Sequence, residues 1–221
     1  MIRFTWNHVL FDITDIGGGP LSEDIPMHAH AKNSYELHFI VRGRGELLTD
    51  TKTYELESGD SFVTGPGIYH SQKADRTNPV QDVFFMLQAV NADRANAVSS
   101  VFLSNAFCYL KNFDISPACA LLSEYRNQYA DYQSAVSGLA MLLLTNIVRR
   151  FLPASFVTNV SAESLNDRRF VIIEQAFLYT PDLTLSELAG KIGVCERQTQ
   201  RLLKKYYGKS FREKKRESLS G

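Results

Sequence analysis

Two groups of residues in this chain have the types and spacing to do chemistry. The first is His28-Ala29-His30, followed by Glu36 six residues on, and by His70 just after Pro66-Gly67. Two imidazoles at i and i+2 share one face of an extended segment. Three histidines and a carboxylate can hold a divalent transition metal through mixed nitrogen and oxygen ligands, which makes His28, His30, Glu36 and His70 a candidate metal set. The same four can instead form a metal-free pocket that hydrogen-bonds a small effector, or stand solvated on a rim. If Glu36 points inward, strand alternation sends His38 and Ile40 the same way. His38 thereby joins the candidate effector-binding set.

The second group lies near the C-terminal end. Arg197, Gln200, Arg201 and Lys204 fall at i, i+3, i+4 and i+7, on one helical stripe. Arg pairs with guanine and Gln with adenine in the major groove of double-stranded DNA, while Lys contacts phosphate. Gln198 and Lys205 complete this set of candidate DNA-binding residues. A third motif, Gly17-Gly18-Gly19-Pro20, could suggest a phosphate loop. No helix carrying a Lys follows it, so a turn is expected there.

The elements that must position the histidines read as short strands. Arg3–Ile13, Ser34–Arg42, Glu46–Thr49, Thr53–Leu56, Ser61–Thr64, Tyr69–Lys73 and Val83–Val90 are apolar or alternating, with turn residues between them. Strands this short at this spacing predict a barrel or sandwich. From Asn91 the period changes, and helices are expected over Asp93–Leu103, Ser116–Tyr132 and Ser134–Leu152. The last is apolar on more than one face. Such a helix usually buries two sides; the second side is either further core or a subunit contact. Ala154–Asp167 is polar and mixed and reads as a linker. Helices are then expected over Arg168–Tyr179, Leu185–Ile192, Glu196–Tyr206 and Phe211–Glu217.

The stripe of basic residues belongs to a helix-turn-helix pattern. With Leu185 as position one, Leu188, Ile192, Val194 and Leu202 take the inner positions four, eight, ten and eighteen. Ala189 falls where two helices touch, and Gly193 where the turn favours positive φ. Thr199 stands at position fifteen, where an apolar residue is usual. Cys195 stands where a Ser, Thr or Asp cap is usual, an omission that costs about 1 kcal/mol.

Charge agrees with this division. The chain has 221 residues with 24 basic and 24 acidic side chains. Residues 182–221 hold 10 basic and 5 acidic groups, net +5, so the remaining 14 and 19 leave residues 1–181 at net −5. An acidic body with a basic tail suits a polyanionic partner for the tail. Hydrophobic residues make up 44%, which excludes a disordered or fibrous chain. The longest apolar stretch, Gly138–Val148, falls short of the roughly 20 residues of a membrane span, so no membrane partner is expected. Met1–Asp12 lacks a basic region followed by an apolar core. Cys108, Cys119 and Cys195 are scattered, which argues against a disulfide framework and a Cys-based zinc site. A cytoplasmic home is expected.

Met27–His70 resembles a cupin, through His28-x-His30, Glu36 and Gly43 and then Gly59, Pro66, Gly67 and His70. It departs in the five residues between His30 and Glu36 and in Gly65, where many relatives have Pro. Leu183–Lys209 resembles the DNA-binding domain of AraC-family transcription regulators, through Ser186-Glu187-Leu188-Ala189, Gly193, Arg201-Leu202, Lys204-Lys205 and the following Gly208-Lys209-Ser210-Phe211. The resemblance implies an α+β chain. Its parts would be an N-terminal cupin β-barrel that binds an effector (1–112), a helical dimerisation hairpin (113–153), a linker (154–165) and an all-α helix-turn-helix region (166–221). It further implies a homodimeric regulator responding to a small effector, such as a sugar, with no required cofactor. Two helix-turn-helix units are usual in the family and one is read here, so weak DNA binding is expected of these residues alone. The alternative is a metal-dependent cupin enzyme, an isomerase or oxygenase, which would leave residues 182–221 unexplained.

Overall fold

The chain opens on a hairpin because Asn7 and His8 both take left-handed backbone, with φ of 46° and 70°, the conformation that matches a two-residue turn to strand twist. It joins β1 (Ile2–Trp6) to β2 (Val9–Pro20). The computed structural model describes residues 1–153, 155–156 and 163–218, and it divides into two compact units, Met1–Ala154 and Ser155–Gly221. The first continues through β3 (Ile25–His28), β4 (Ser34–Arg42), β5 (Gly45–Thr49), β6 (Thr53–Leu56), β7 (Ser61–Thr64), β8 (His70–Ala74), β9 (Gln81–Ala89), α1 (Ala97–Ser104) and β10 (Phe107–Leu110). It ends with α2 (Ser116–Asn127) and α3 (Tyr132–Arg149). The second contains α4 (Glu163–Tyr179), α5 (Leu185–Ile192), α6 (Glu196–Tyr207) and α7 (Phe211–Ser218). The fold is mixed α+β, with cupin-like sheets first and helices after them.

Two antiparallel sheets form the first unit, in strand orders β1-β2-β9-β4-β7-β10 and β3-β8-β5-β6. Strand β4 serves both faces of its sheet. Tyr35, Leu37 and Phe39 join the large core shared with β1, β2, β9 and the helices. Ile40 turns to the lumen between the sheets, where it packs with Leu47, Leu56, Phe62 and Val80.

The sequence reads as a turn at Gly17-Gly18-Gly19-Pro20, but β2 runs straight through these residues, pairing Gly17 with Phe84 and Gly18 with Val83. A Cβ on Gly17 would lie 2.5 Å from the Phe84 ring, and one on Gly18 would lie 2.5 Å from the Asp82 carbonyl oxygen. Close approach of neighbours, rather than a change of direction, requires glycine here.

Helix α1 begins at Ala97 rather than Asp93, because Asn96 caps it by accepting from the Val98 and Ser99 amides. Helix α2 stops at Asn127 instead of Tyr132; Gln128 is left-handed at φ 48° and ends it. The hairpin helices are not separate from the barrel. Val136, Ala140, Leu143, Leu144, Ile147 and Val148 of α3 are all buried in the core they share with the six-stranded sheet. The expected boundary at 112/113 therefore falls inside one continuous core. Of the leucines on α3, only Leu142 is exposed.

In the second unit, α4 starts at Glu163, so the C-terminal part of the expected linker is helical; 154 and 157–162 lie outside the described residues. Thr184 and Glu187 form a capping box on α5, and Ser210 and Glu213 one on α7. Leu188, Ile192 and Leu203 are buried with Ile173, Phe177, Leu183 and Phe211.

The bare wall of β2 gives a test of packing. Gly18→Ala should destabilise the protein by about 1–3 kcal/mol through overpacking against Asp82 and Leu122. Denaturant unfolding followed by Trp6 fluorescence measures it, and an unchanged midpoint contradicts the close approach.

Candidate functional site

Strand pairing brings the first group together. The register of β3 on β8 sets His28 opposite His70, and the two rings lie 4.2 Å apart. His30 follows in a loop that bridges to Pro66, with its carbonyl accepting from the Gly67 amide at 3.2 Å. Glu36 comes from β4, opposite Thr64 of β7, and the Thr64 hydroxyl lies 3.3 Å from His70 Nε2. One ligand atom from each of His28, His30, Glu36 and His70 lies within 4.8 Å of the others.

The hydrogen bonds around these imidazoles determine what the cluster presents. His28 Nδ1 donates to the Pro26 carbonyl at 2.8 Å and His70 Nδ1 to the Ile68 carbonyl at 3.0 Å. A carbonyl only accepts, so each Nδ1 carries a proton, and it is Nε2 that a neutral ring offers as its lone pair. A metal-ligating histidine has its other ring nitrogen anchored in the same way. His30 Nε2 lies 3.1 Å and His70 Nε2 3.6 Å from Glu36 Oε2. Imidazole nitrogens gathered beside a carboxylate are a donor set that suits a first-row divalent ion. The residues present therefore fit a metal.

Burial pushes Glu36 upward, but the imidazoles of His30 and His38 hydrogen-bonded to it, with His70 beside them, hold its carboxyl far below the usual carboxylate range. His38 is buried, its Nδ1 2.6 Å from Asp82 Oδ2 and its Nε2 3.2 Å from Glu36 Oε2. Burial lowers His38, and the two carboxylates overcome it, raising the imidazole to about 9. The alternation read from the sequence thus places Glu36, His38 and Ile40 on the lumen side.

A cavity of about 340 Å³ adjoins the cluster, lined by Gly18, Gly19, Pro20, Leu21, Ile25, Glu36, His38, Asp82 and Phe84. Beside His38, buried Gln72 has its Nε2 3.4 Å from the ring, and its Oε1 is without a partner among the described residues. Gln72 could have been found from sequence, since it stands at i+2 from His70 on the same strand. Asp82 could not, because its place depends on how β9 pairs with β4, in the register Ile40 opposite Asp82.

The second group sits on α6 as the turn geometry requires. Gly193 is left-handed at φ 65° and ends α5; Cys195 begins α6 without a side-chain cap. Arg197, Gln198, Arg201, Lys204 and Lys205 are exposed. Gln200 is at the flank, where its Oε1 accepts from the Phe211 amide at 3.4 Å, and Lys204 Nζ donates to the Gly208 carbonyl at 2.9 Å. The inner face centres on Thr199 and Leu203, both fully buried, with Leu202 beside them. Thr199 is accommodated because its hydroxyl donates to the Cys195 carbonyl at 3.1 Å.

A protein-family model described as "Cupin domain" matches residues 20–84. No curated protein sequence matches the chain. Among solved structures, the chain is similar to a cupin protein from Bacteroides fragilis, at 23% identity over 38% of this chain and 68% of that one, with a TM-score of 0.30. It is also similar to an apo ToxT variant from Vibrio cholerae strain SCE256, at 11% identity over 94% of this chain and 78% of that one, TM-score 0.43. Unsaturated fatty acid-bound wild-type ToxT from the same strain matches at 12% identity over 96% and 78%, TM-score 0.41. Among the described residues, no helix is long and apolar enough to cross a membrane.

The donor set makes a prediction. Dialysis against Zn²⁺ or Co²⁺ and elemental analysis should find one equivalent per chain. Glu36→Gln and His70→Ala should each weaken binding by tenfold or more, on the order of the losses known for supporting groups of metal sites. A wild-type chain that takes up neither ion contradicts the fit.

Proposed function

We propose that the chain is a sequence-specific DNA-binding transcription regulator of the AraC type whose cupin unit binds a small effector. The observation that carries this reading is the α5–Gly193–α6 turn with Arg197, Arg201 and Lys205 turned to solvent. Arg197 and Arg201 have no acidic partner among the described residues. An unpaired basic stripe on the second helix of such a turn has the composition for the major groove. The cavity beside Glu36, His38 and Asp82 is near the lower end of the range for small-molecule sites. Its acceptors suit a hydroxyl-bearing ligand such as a sugar. His28, His30, Glu36 and His70 would hold a divalent ion beside it, and the ion would supply positive charge and an open coordination position. The homodimer rests on the resemblance of the sequence, with exposed Leu142 on α3 available to a partner.

A second reading, a metal-dependent cupin isomerase or oxygenase, is favoured by the histidine cluster. It gives α5 and α6 no role.

Fluorescence anisotropy with DNA from upstream of the chain's own gene, against a scrambled duplex, tests the regulator. Binding should be sequence-dependent and fall with salt. Lys205→Ala should make the salt slope shallower by about 0.9, while Arg197→Ala or Arg201→Ala should cost about 1–3 kcal/mol at one base pair. Equal affinity for both duplexes, with neither Arg variant altering it, would reject the proposal.

A further inference from the structure

Glu36 is held by an imidazole outside the candidate ligand set, that of His38. His38 is stacked on Phe62, with ring centroids 4.5 Å apart and planes 15° from parallel, and on Phe84 at 5.7 Å and 30°. These contacts fix the plane of its ring. Its Nδ1 meets Asp82 Oδ2 at 2.6 Å and its Nε2 meets Glu36 Oε2 at 3.2 Å. The side chains of Glu36 and Asp82 are 13% exposed and that of His38 is 2% exposed. Asp82 and Glu36 come from neighbouring strands, β9 and β4, so sheet pairing sets the distance that His38 spans.

We infer that Asp82 and His38 are a positioning pair that fixes the Glu36 carboxylate for a divalent metal ion. This rests on the metal reading of His28, His30, Glu36 and His70. His28 and His70 are oriented by backbone carbonyls, which the fold supplies whatever the side chains. Glu36 has no such anchor among the described hydrogen bonds, and its ion pair beyond the ligand set, among the described residues, is with His38. A carboxylate with several rotatable bonds loses conformational freedom when it ligates. Holding one oxygen in advance lowers that cost, and outer partners of this kind govern metal affinity about 10- to 100-fold. Asp82 acts at one remove, setting the orientation of the imidazole that meets Glu36.

The test is competition of the full chain with a chromophoric chelator for Zn²⁺ and Co²⁺, together with the visible spectrum of the Co²⁺ form. Asp82→Asn should bind both ions about 10- to 100-fold more weakly and alter the Co²⁺ bands, with an unchanged far-ultraviolet circular dichroism spectrum. If Asp82→Asn does not fold, the pair His38→Phe with Asp82→Asn keeps the aromatic slot filled and removes both uncompensated groups, and it should show the same loss. Wild-type affinity and bands in either folded variant overturn the positioning role while leaving the metal site standing. A wild-type chain that binds neither ion overturns both.

Discussion

A carboxylate carried into a barrel lumen must be met there by charge or hydrogen bonds, because leaving it ionised and alone costs several kcal/mol or more. Glu36 imposes this condition on the first unit. Its neighbours are three imidazoles, drawn from β4 itself, from the His30 loop and from β8. In the four-stranded sheet β8 pairs with β3, and in the six-stranded sheet β7 lies beside β4. A one-residue slip in β4 would send Glu36 and His38 into the apolar core and Leu37 into the polar lumen. The register of the sheet and the composition of the site are therefore the same requirement.

The lumen divides along its length for the same reason. Ile40, two residues beyond His38, closes the apolar end with Leu47, Leu56, Phe62 and Val80. Phe62 touches both regions, since it also stacks on the His38 ring. On the far side of the sheet, α2 lies against bare glycine backbone. Arg126 donates to the Gly18 carbonyl at 2.6 Å and Leu122 packs near the Gly18 Cα. Gly18 and Gly19 also line the cavity, so helix and cavity share a wall one backbone thick.

Local chemistry made much of this legible. The histidine and carboxylate set could be listed from residue types, and alternation sufficed to assign Glu36, His38 and Ile40 to one face. The glycines could not be read correctly, because a glycine demanded by a turn and one demanded by a close neighbour look alike in sequence; Phe84 and Asp82 are more than sixty residues away. Long-range pairing hid Asp82 in the same way. Strands β3 and β10 do not stand out in the sequence; β3 carries Pro26, which speaks against a strand. By its sequence the two-sided helix α3 has a face for a partner or for more core. The buried stripe turned out wide because the helix packs between its neighbour α2 and the sheet at once. Short-range signals fared best in the second unit, where Gly193 and the capping residues fix the helix ends locally.

The recognition-helix reading rests on a balance within α6. This helix forgoes a side-chain cap at Cys195, a loss of about 1 kcal/mol, and turns Arg197, Arg201 and Lys205 outward without the i,i+4 acidic partners that would stabilise a surface helix. Stability must come instead from the inner face. Leu203 is fully buried, and burying a leucine contributes about 1.5–3 kcal/mol, enough to offset the missing cap. Gln200 adds a tether to the start of α7 through the Phe211 amide. Gln200 is thereby committed within the unit, so on the proposed reading the bases fall to Arg197 and Arg201. A helix anchored wholly from behind leaves its outer face free of structural duty, and side chains there can be chosen by a partner alone.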